Sequence, residues 1–263
     1  MQVPAGDASR TELAMSRVLR LLDPAPQTPD LSHGYLDLIG AAPAAPTGIA
    51  DWLMRTSVVP AIYQRWWRPV LGRLIMGAAG PDLAGEYRLA RSWLALRPGD
   101  TLVDLACGPG NFTRELAAGV GESGLVIGVD TAPSMLARAV RDTPDHAGLI
   151  AYVRADAGDL RLRPDCADAV CCFAALHLMR QPFGVLDEIS HMLRDGGRLA
   201  LMTSCGRGGG GPLAAASEAA ARLGGMTTFG RDEITEALAR RGFANIRQRI
   251  AGPVQFVAGE RGT

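Results

Sequence analysis

LVDLACGPGNFTRELAAGVGESGLVIGVD, residues Leu102–Asp130, is the stretch whose reading decides the fold. A short apolar run, Thr101–Leu105, carries an acid at Asp104 and runs into a turn built on Gly108, Pro109 and Gly110. A helical segment follows over Asn111–Val120, with Phe112, Leu116 and Val120 on one side. A second apolar run, Leu125–Val129, closes on Asp130. Strand, glycine turn, helix, strand is the βαβ unit of a nucleotide-binding sheet. The turn calls for glycine because a Cβ at Gly108 or Gly110 would fill the space of a ligand passing close to the backbone.

The turn alone leaves two ligand classes open. In the dinucleotide fingerprint a third glycine stands where this chain has Thr113. Asp130 would serve the ribose hydroxyls of NAD, but NAD also needs its pyrophosphate at the helix N-terminus. There it would meet Asp104, four residues before Gly108. An acid at that point suits a ligand carrying an ammonium group. S-adenosylmethionine has a cationic amino group, a cationic sulfonium and no phosphate, so it fits.

VDLACGPGNFTRELA (Val103–Ala117) followed by GLVIGVDTAPSMLARA (Gly124–Ala139) resembles the class I S-adenosylmethionine-dependent methyltransferases. The resemblance is to the small-molecule branch, which includes the methyltransferase type 11 and ubiquinone/menaquinone C-methyltransferase-like enzymes, and it runs from about Trp52 to the C-terminus. It implies that Gly108 and Gly110 pass beneath the methionine part of the cofactor, with Asp104 near its amino group. Asp130 would take the ribose hydroxyls in bidentate fashion. Asp156 and the Ala157 amide would meet the adenine edge, with Asp159 a neighbouring alternative to Asp156. Ala106, Cys107, Thr131, Met135, Ala174 and Tyr63 complete the implied cofactor-binding set. Ala106 departs from the family's GCGxG motif, whose first glycine it replaces.

Length and composition narrow the classes. The chain has 263 residues, 48% of them hydrophobic, and 27 basic against 27 acidic groups, all the basic ones Arg. The absence of Lys excludes Schiff-base chemistry, pyridoxal-phosphate anchoring and a P-loop. Zero net charge with dispersed Arg leaves no electrostatic footprint for nucleic acid. The five cysteines, Cys107, Cys166, Cys171, Cys172 and Cys205, form no CxxC pair. They read as reduced thiols of a cytoplasmic protein, with no metal site expected. The N-terminus does not read as a signal peptide, and no apolar run reaches the ~18 residues of a membrane span.

Strands alternate with helices along the chain until a C-terminal hairpin, which predicts an α/β fold. The expected architecture is a Rossmann-like three-layer sandwich, with a mostly parallel seven-stranded sheet, an antiparallel C-terminal hairpin and an N-terminal helical cap. Residues 1–50 are expected to form a partly ordered extension, with a short amphipathic helix over Thr11–Leu22. Residues 51–98 would be a helical cap over the site, carrying AIYQRWWRPVLGRLIM (Ala61–Met76) and a second helix over Glu86–Leu96. Residues 99–263 would be the cofactor-binding domain.

On the acceptor side His177 is the candidate catalytic residue. It follows the fourth strand of this domain at the mouth of the expected pocket, where an imidazole can take a proton from a phenol, enol or carbon acid. A hydrogen bond to a loop carbonyl, or stacking on the adenosine, is the plainer alternative. Tyr63, Trp66 and Trp67 read either as a lid or as helix core. The function expected is methyl transfer by in-line displacement to a small, fairly apolar acceptor, quinone-like or natural-product-like. A non-catalytic S-adenosylmethionine binder and an NAD-dependent oxidoreductase are the rivals.

Overall fold

The structure, a computed structural model, describes residues 9–40, 81–144, 148–206 and 225–262. Its centre is strand β2 (Thr101–Leu105), parallel on one side to β3 (Leu125–Asp130) and on the other to β5 (Ala167–Phe173). With β1 (Leu36–Asp37), β4 (Ile150–Arg154), β6 (Leu193–Ser204), β7 (Phe243–Ala251) and β8 (Val254–Arg261), the strand order is β1-β4-β3-β2-β5-β6-β8-β7. Every neighbouring pair is parallel except β6–β8 and β7–β8, the C-terminal hairpin.

The sheet has eight strands rather than the seven expected. The extra one is the edge strand β1, from a segment expected to be only partly ordered. The reason lies in its apolar content. Leu36 and Tyr35 are buried, and a Cβ on Gly34 would approach a Val140 methyl to 2.9 Å, so the segment packs directly on the sheet and a neighbouring helix. Upstream of it, helix α1 (Arg10–Leu21) starts on a capping box in which Ser9 and Glu12 serve each other's amides, and it buries Ala14, Met15 and Val18.

Five further helices lie among the described residues: α2 (Leu83–Leu94), α3 (Asn111–Val120), α4 (Pro133–Arg141), α5 (Pro182–Met192) and α6 (Glu233–Arg240). Side chains alternate across each strand, so the two faces have separate cores. Leu102, Ala169 and Cys171 meet α2, α3 and α4, whereas Val103, Leu105 and Val170 join α1, α5 and α6. This gives three layers, helices on both faces of a buried sheet. Of the expected cap, residues 51–80, including Ala61–Met76 with Tyr63, Trp66 and Trp67, lie outside the described residues.

The amino ends of the central strands are held by charge. Arg198 of β6 donates through Nη2 to Asp100 Oδ2 at 2.7 Å and through Nη1 to the Ala95 carbonyl at the end of α2. Asp168 accepts from the Thr101 amide at 2.7 Å and pairs with Arg194. Asp100 and Arg198 are 7% and 8% exposed, so removing one charge strands the other out of water. Arg198→Met should therefore cost about 3 kcal/mol of unfolding free energy by urea denaturation. Arg240→Met, which breaks only a surface i,i+4 pair with Glu236, should cost less than about 0.5 kcal/mol.

Candidate active site

The chain leaves β2 on one side for β3 and β4 and returns on the other side as β5, so strand order reverses between β2 and β5. Open parallel sheets bind ligands in the crevice at the carboxyl ends of strands at such a reversal. Two alanines in left-handed backbone flank it, Ala106 after β2 (φ 54°) and Ala174 after β5 (φ 61°). The Ala174 amide is fixed to the Met202 carbonyl at 2.9 Å. A Cβ in this region costs on the order of 1 kcal/mol, and Ala106 carries that cost where the family motif has glycine.

Gly108 (φ 55°) and Gly110 (φ 75°) complete the turn, and Gly110 caps α3. The two glycines are required for different reasons. A Cβ on Gly110 would overlap the Tyr152 hydroxyl, which rises from β4 beneath the turn. Tyr152 also closes on Gly128 of β3, where a Cβ would lie 2.7 Å from the ring. A Cβ on Gly108 would meet nothing within 4 Å among the described residues, so none of them crowds the backbone there. Burial pushes the Tyr152 phenol up to about 12, so it stays protonated and shares a 2.8 Å hydrogen bond with Thr143 Oγ1.

Two carboxylates flank this turn, and a third follows the next strand. Asp104 is 2% exposed and accepts from Thr113 Oγ1 at 2.6 Å. Asp130 ends β3, its Oδ2 accepting from the Gly108 amide at 2.9 Å and its Oδ1 from the Ala132 amide at 2.8 Å. A carboxylate oxygen has two lone-pair directions, and each of these amides takes one. Asp156 follows β4 and is exposed, with Oδ1 holding the Gly158 amide at 2.9 Å. The Ala155 amide donates to the Asp130 carbonyl at 3.2 Å and ties the third loop to the second.

The structure thus gathers Ala106, Cys107, Gly108 and Gly110 in one turn, with Asp104 of β2 and Asp130 of β3 beside it. Thr131 and Met135 belong to the adjoining α4 entry, Asp156 and Ala157 to the next loop, and Ala174 to the far wall. Cys107 is buried, and burial together with Asp130 and Asp104 raises its thiol well above the ordinary range. Burial takes Cys172 of β5 to about 12, so both thiols stay protonated at neutral pH. Thr113, Tyr152 and Arg154 are absent from the site expected from sequence. Thr113 stands where the dinucleotide fingerprint has its third glycine, and Tyr152 and Arg154, two residues apart, share one strand face.

His177 sits in a single 3₁₀ turn, Leu176–Leu178, just after β5. Its carbonyl accepts from the Thr227 amide at 2.8 Å, and its Nδ1 lies 3.5 Å from Thr203 Oγ1, a long contact. Nearby, the rings of Tyr87, Phe112 and Phe173 form a series with centroids 4.7 and 4.6 Å apart, joining α2, α3 and the end of β5. Burial lowers the His177 pKa from 6.5 to about 4, so the ring is neutral at pH 7. Between those values the unfolded chain holds a proton that the folded chain does not, so stability falls as pH drops from about 6.5 to about 4. His177→Asn should lessen the loss of urea stability between pH 7 and pH 5, by up to about 1.4 kcal/mol per pH unit over that window.

Comparison with known proteins adds relatives to this geometry. Residues 103–201 match the family described as "Methyltransferase domain". An uncharacterized chloroplastic methyltransferase of Arabidopsis thaliana is 37% identical over 154 residues, 57% of this chain and 42% of that protein. A 2-phytyl-1,4-naphthoquinone methyltransferase of Thermosynechococcus vestitus is 35% identical over 115 residues, 44% of this chain and 51% of that protein. This chain therefore spans about half the length of the curated relatives it matches. Among solved structures, a Haemonchus contortus phosphoethanolamine N-methyltransferase bound to S-adenosylhomocysteine superposes with a TM-score of 0.63 at 16% identity, over 81% of this chain and 60% of that one. Among the described residues no helix is long and apolar enough to cross a membrane.

Proposed function

We propose that this chain, a class I methyltransferase by fold and by the family of its residues 103–201, binds S-adenosylmethionine and methylates a small, fairly apolar acceptor. The observation that carries the reading is the acidic glycine turn. No described residue crowds the Gly108 backbone, while Asp104 and Asp130 stand on either side of it. Carboxylates at that point favour a cationic ligand with ribose hydroxyls and disfavour a pyrophosphate.

When bound, the cofactor supplies an activated methyl group for in-line displacement. In this reading Asp104, held by Thr113, faces the amino group, and Asp130 accepts from the ribose hydroxyls. Asp156 and the Ala157 amide address the adenine, with Cys107, Thr131 and Met135 along the floor. The aromatic series Tyr87–Phe112–Phe173 supports an apolar acceptor side, to which residues 51–98, Tyr63 among them, would contribute. The naphthoquinone enzyme among the relatives makes a quinone-like acceptor the first to test. We assign His177 as the candidate acceptor of the substrate's proton: its ring is neutral at pH 7, and burial makes it a weak base.

Calorimetric titration tests the cofactor reading. S-adenosylmethionine and S-adenosylhomocysteine should bind the wild type and NAD should not. Asp130→Ala should weaken both adenosyl ligands at least about tenfold, from the loss of two charge-assisted hydrogen bonds. Transfer of an isotope-labelled methyl group to a panel of reduced naphthoquinones and phenols then separates an enzyme from a non-catalytic binder. NAD binding, or no loss in Asp130→Ala, would contradict the assignment.

A further inference from the structure

The edge strand β1 ends on Asp37, and this carboxylate reaches back into the sheet. Its Oδ2 accepts from Arg154 Nη1 at 2.7 Å, and its Oδ1 accepts from the Ile39 and Gly40 amides, each at 2.9 Å. Burial pushes the Asp37 carboxyl up, but the bonds from Gly40, Arg154 and Ile39 outweigh it and leave it below its ordinary value. The Arg154 side chain is 12% exposed and that of Asp37 9%, so the pair is largely out of water. Such a pair adds little net stability for its desolvation, and its value lies in fixing geometry.

Arg154 uses two further N–H groups on carbonyls. Nη1 also reaches Gly40 at 2.9 Å, and Nε donates to Thr131 at 3.2 Å. Thr131 lies between Asp130, whose carboxylate holds the glycine turn, and Ala132, whose amide returns to Asp130 Oδ1 at 2.8 Å. The Asp130–Ala132 turn is therefore fastened at three points. The glycine turn holds it through the carboxylate, β4 holds it through the Ala155 amide, and the N-terminal segment holds it through Arg154. Only a planar, multiply donating guanidinium spans Asp37, Gly40 and Thr131 at once, since an ammonium on a flexible stem presents a single point.

We propose that Arg154, oriented by Asp37, is a positioning residue for Asp130, so that the N-terminal segment over residues 34–40 sets the affinity for the adenosyl ligand. The inference rests on the reading of Asp130 as the ribose-binding carboxylate. If Thr131 is released, the Asp130 carboxylate swings out of register with a pair of vicinal hydroxyls while the rest of the core stays in place. The N-terminal region has a separate fastening in helix α1. Arg17 Nη1 donates to the Ser123 and Gly124 carbonyls at 2.8 and 3.2 Å, just before β3 and so at the strand end opposite the Thr131 turn. Loosening the region there is the natural control.

The test compares wild type with Asp37→Asn, Arg154→Lys, the double variant and Arg17→Ala, by S-adenosylhomocysteine calorimetry and thermal melting. Asp37→Asn and Arg154→Lys should each raise the Kd about five- to tenfold, and the double variant should be no worse than either single one, because both act through one contact. Arg17→Ala should lower the melting temperature but keep the Kd within about twofold. Unchanged affinity in Asp37→Asn and Arg154→Lys, beside a wild type that binds, overturns this inference alone. Equal weakening by Arg17→Ala also overturns it, showing general loosening instead. A wild type that binds no S-adenosylhomocysteine overturns the cofactor reading and this inference with it.

Discussion

The hydrogen bond from the Gly108 amide to Asp130 is the constraint on which the candidate site depends. It joins the loop after β2 to the loop after β3 across 2.9 Å, and a bond from an amide to a carboxylate is worth roughly 1.5–3 kcal/mol. The chain leaves β2 in left-handed backbone at Ala106, and Gly108 and Gly110 adopt the same region within the turn. Tyr152 closes the turn from below, and its bulk is why both Gly110 and Gly128 lack side chains. A strained alanine, two glycines and one tyrosine together hold a carboxylate beside the uncrowded Gly108 backbone.

The carboxylates at the two ends of the sheet are held by different contacts. At the amino ends Asp100 and Asp168 are matched by Arg198 and Arg194, which lock α2, β2, β5 and β6 to one another. At the carboxyl ends Asp104 accepts from a hydroxyl and Asp130 from two backbone amides, bonds that orient each carboxylate. Arginine serves the carboxyl ends as well, Arg114 donating to the Pro109 carbonyl in the glycine turn and Arg154 to the Thr131 carbonyl after β3.

Much of this was legible in the sequence because it rests on local rules. The Leu102–Asp130 stretch folds as strand, turn, helix and strand at almost the residues read from it, since apolar period and glycine placement are short-range signals. The C-terminal hairpin follows from the Gly252-Pro253 turn in the same way. What escaped depends on distant pairing. A two-residue strand such as β1 has too little pattern to read, and its partner β4 lies more than a hundred residues away. Thr113 was legible only as a glycine that was missing, because its bond to Asp104 exists once helix α3 is docked. Likewise the partner of Arg154 is Asp37, 117 residues away, a pairing no local pattern encodes.

Methyl transfer from an adenosyl donor is the central claim, and it stands or falls with what occupies the space above Gly108. The most direct measurement is a crystal structure of the protein grown with S-adenosylhomocysteine. The account requires the ribose hydroxyls on the two Asp130 oxygens, the amino group directed to Asp104, and the adenine beside Asp156 and Ala157. Density for the ligand elsewhere, or a ribose turned away from Asp130 with Gly108 left uncovered, would contradict it.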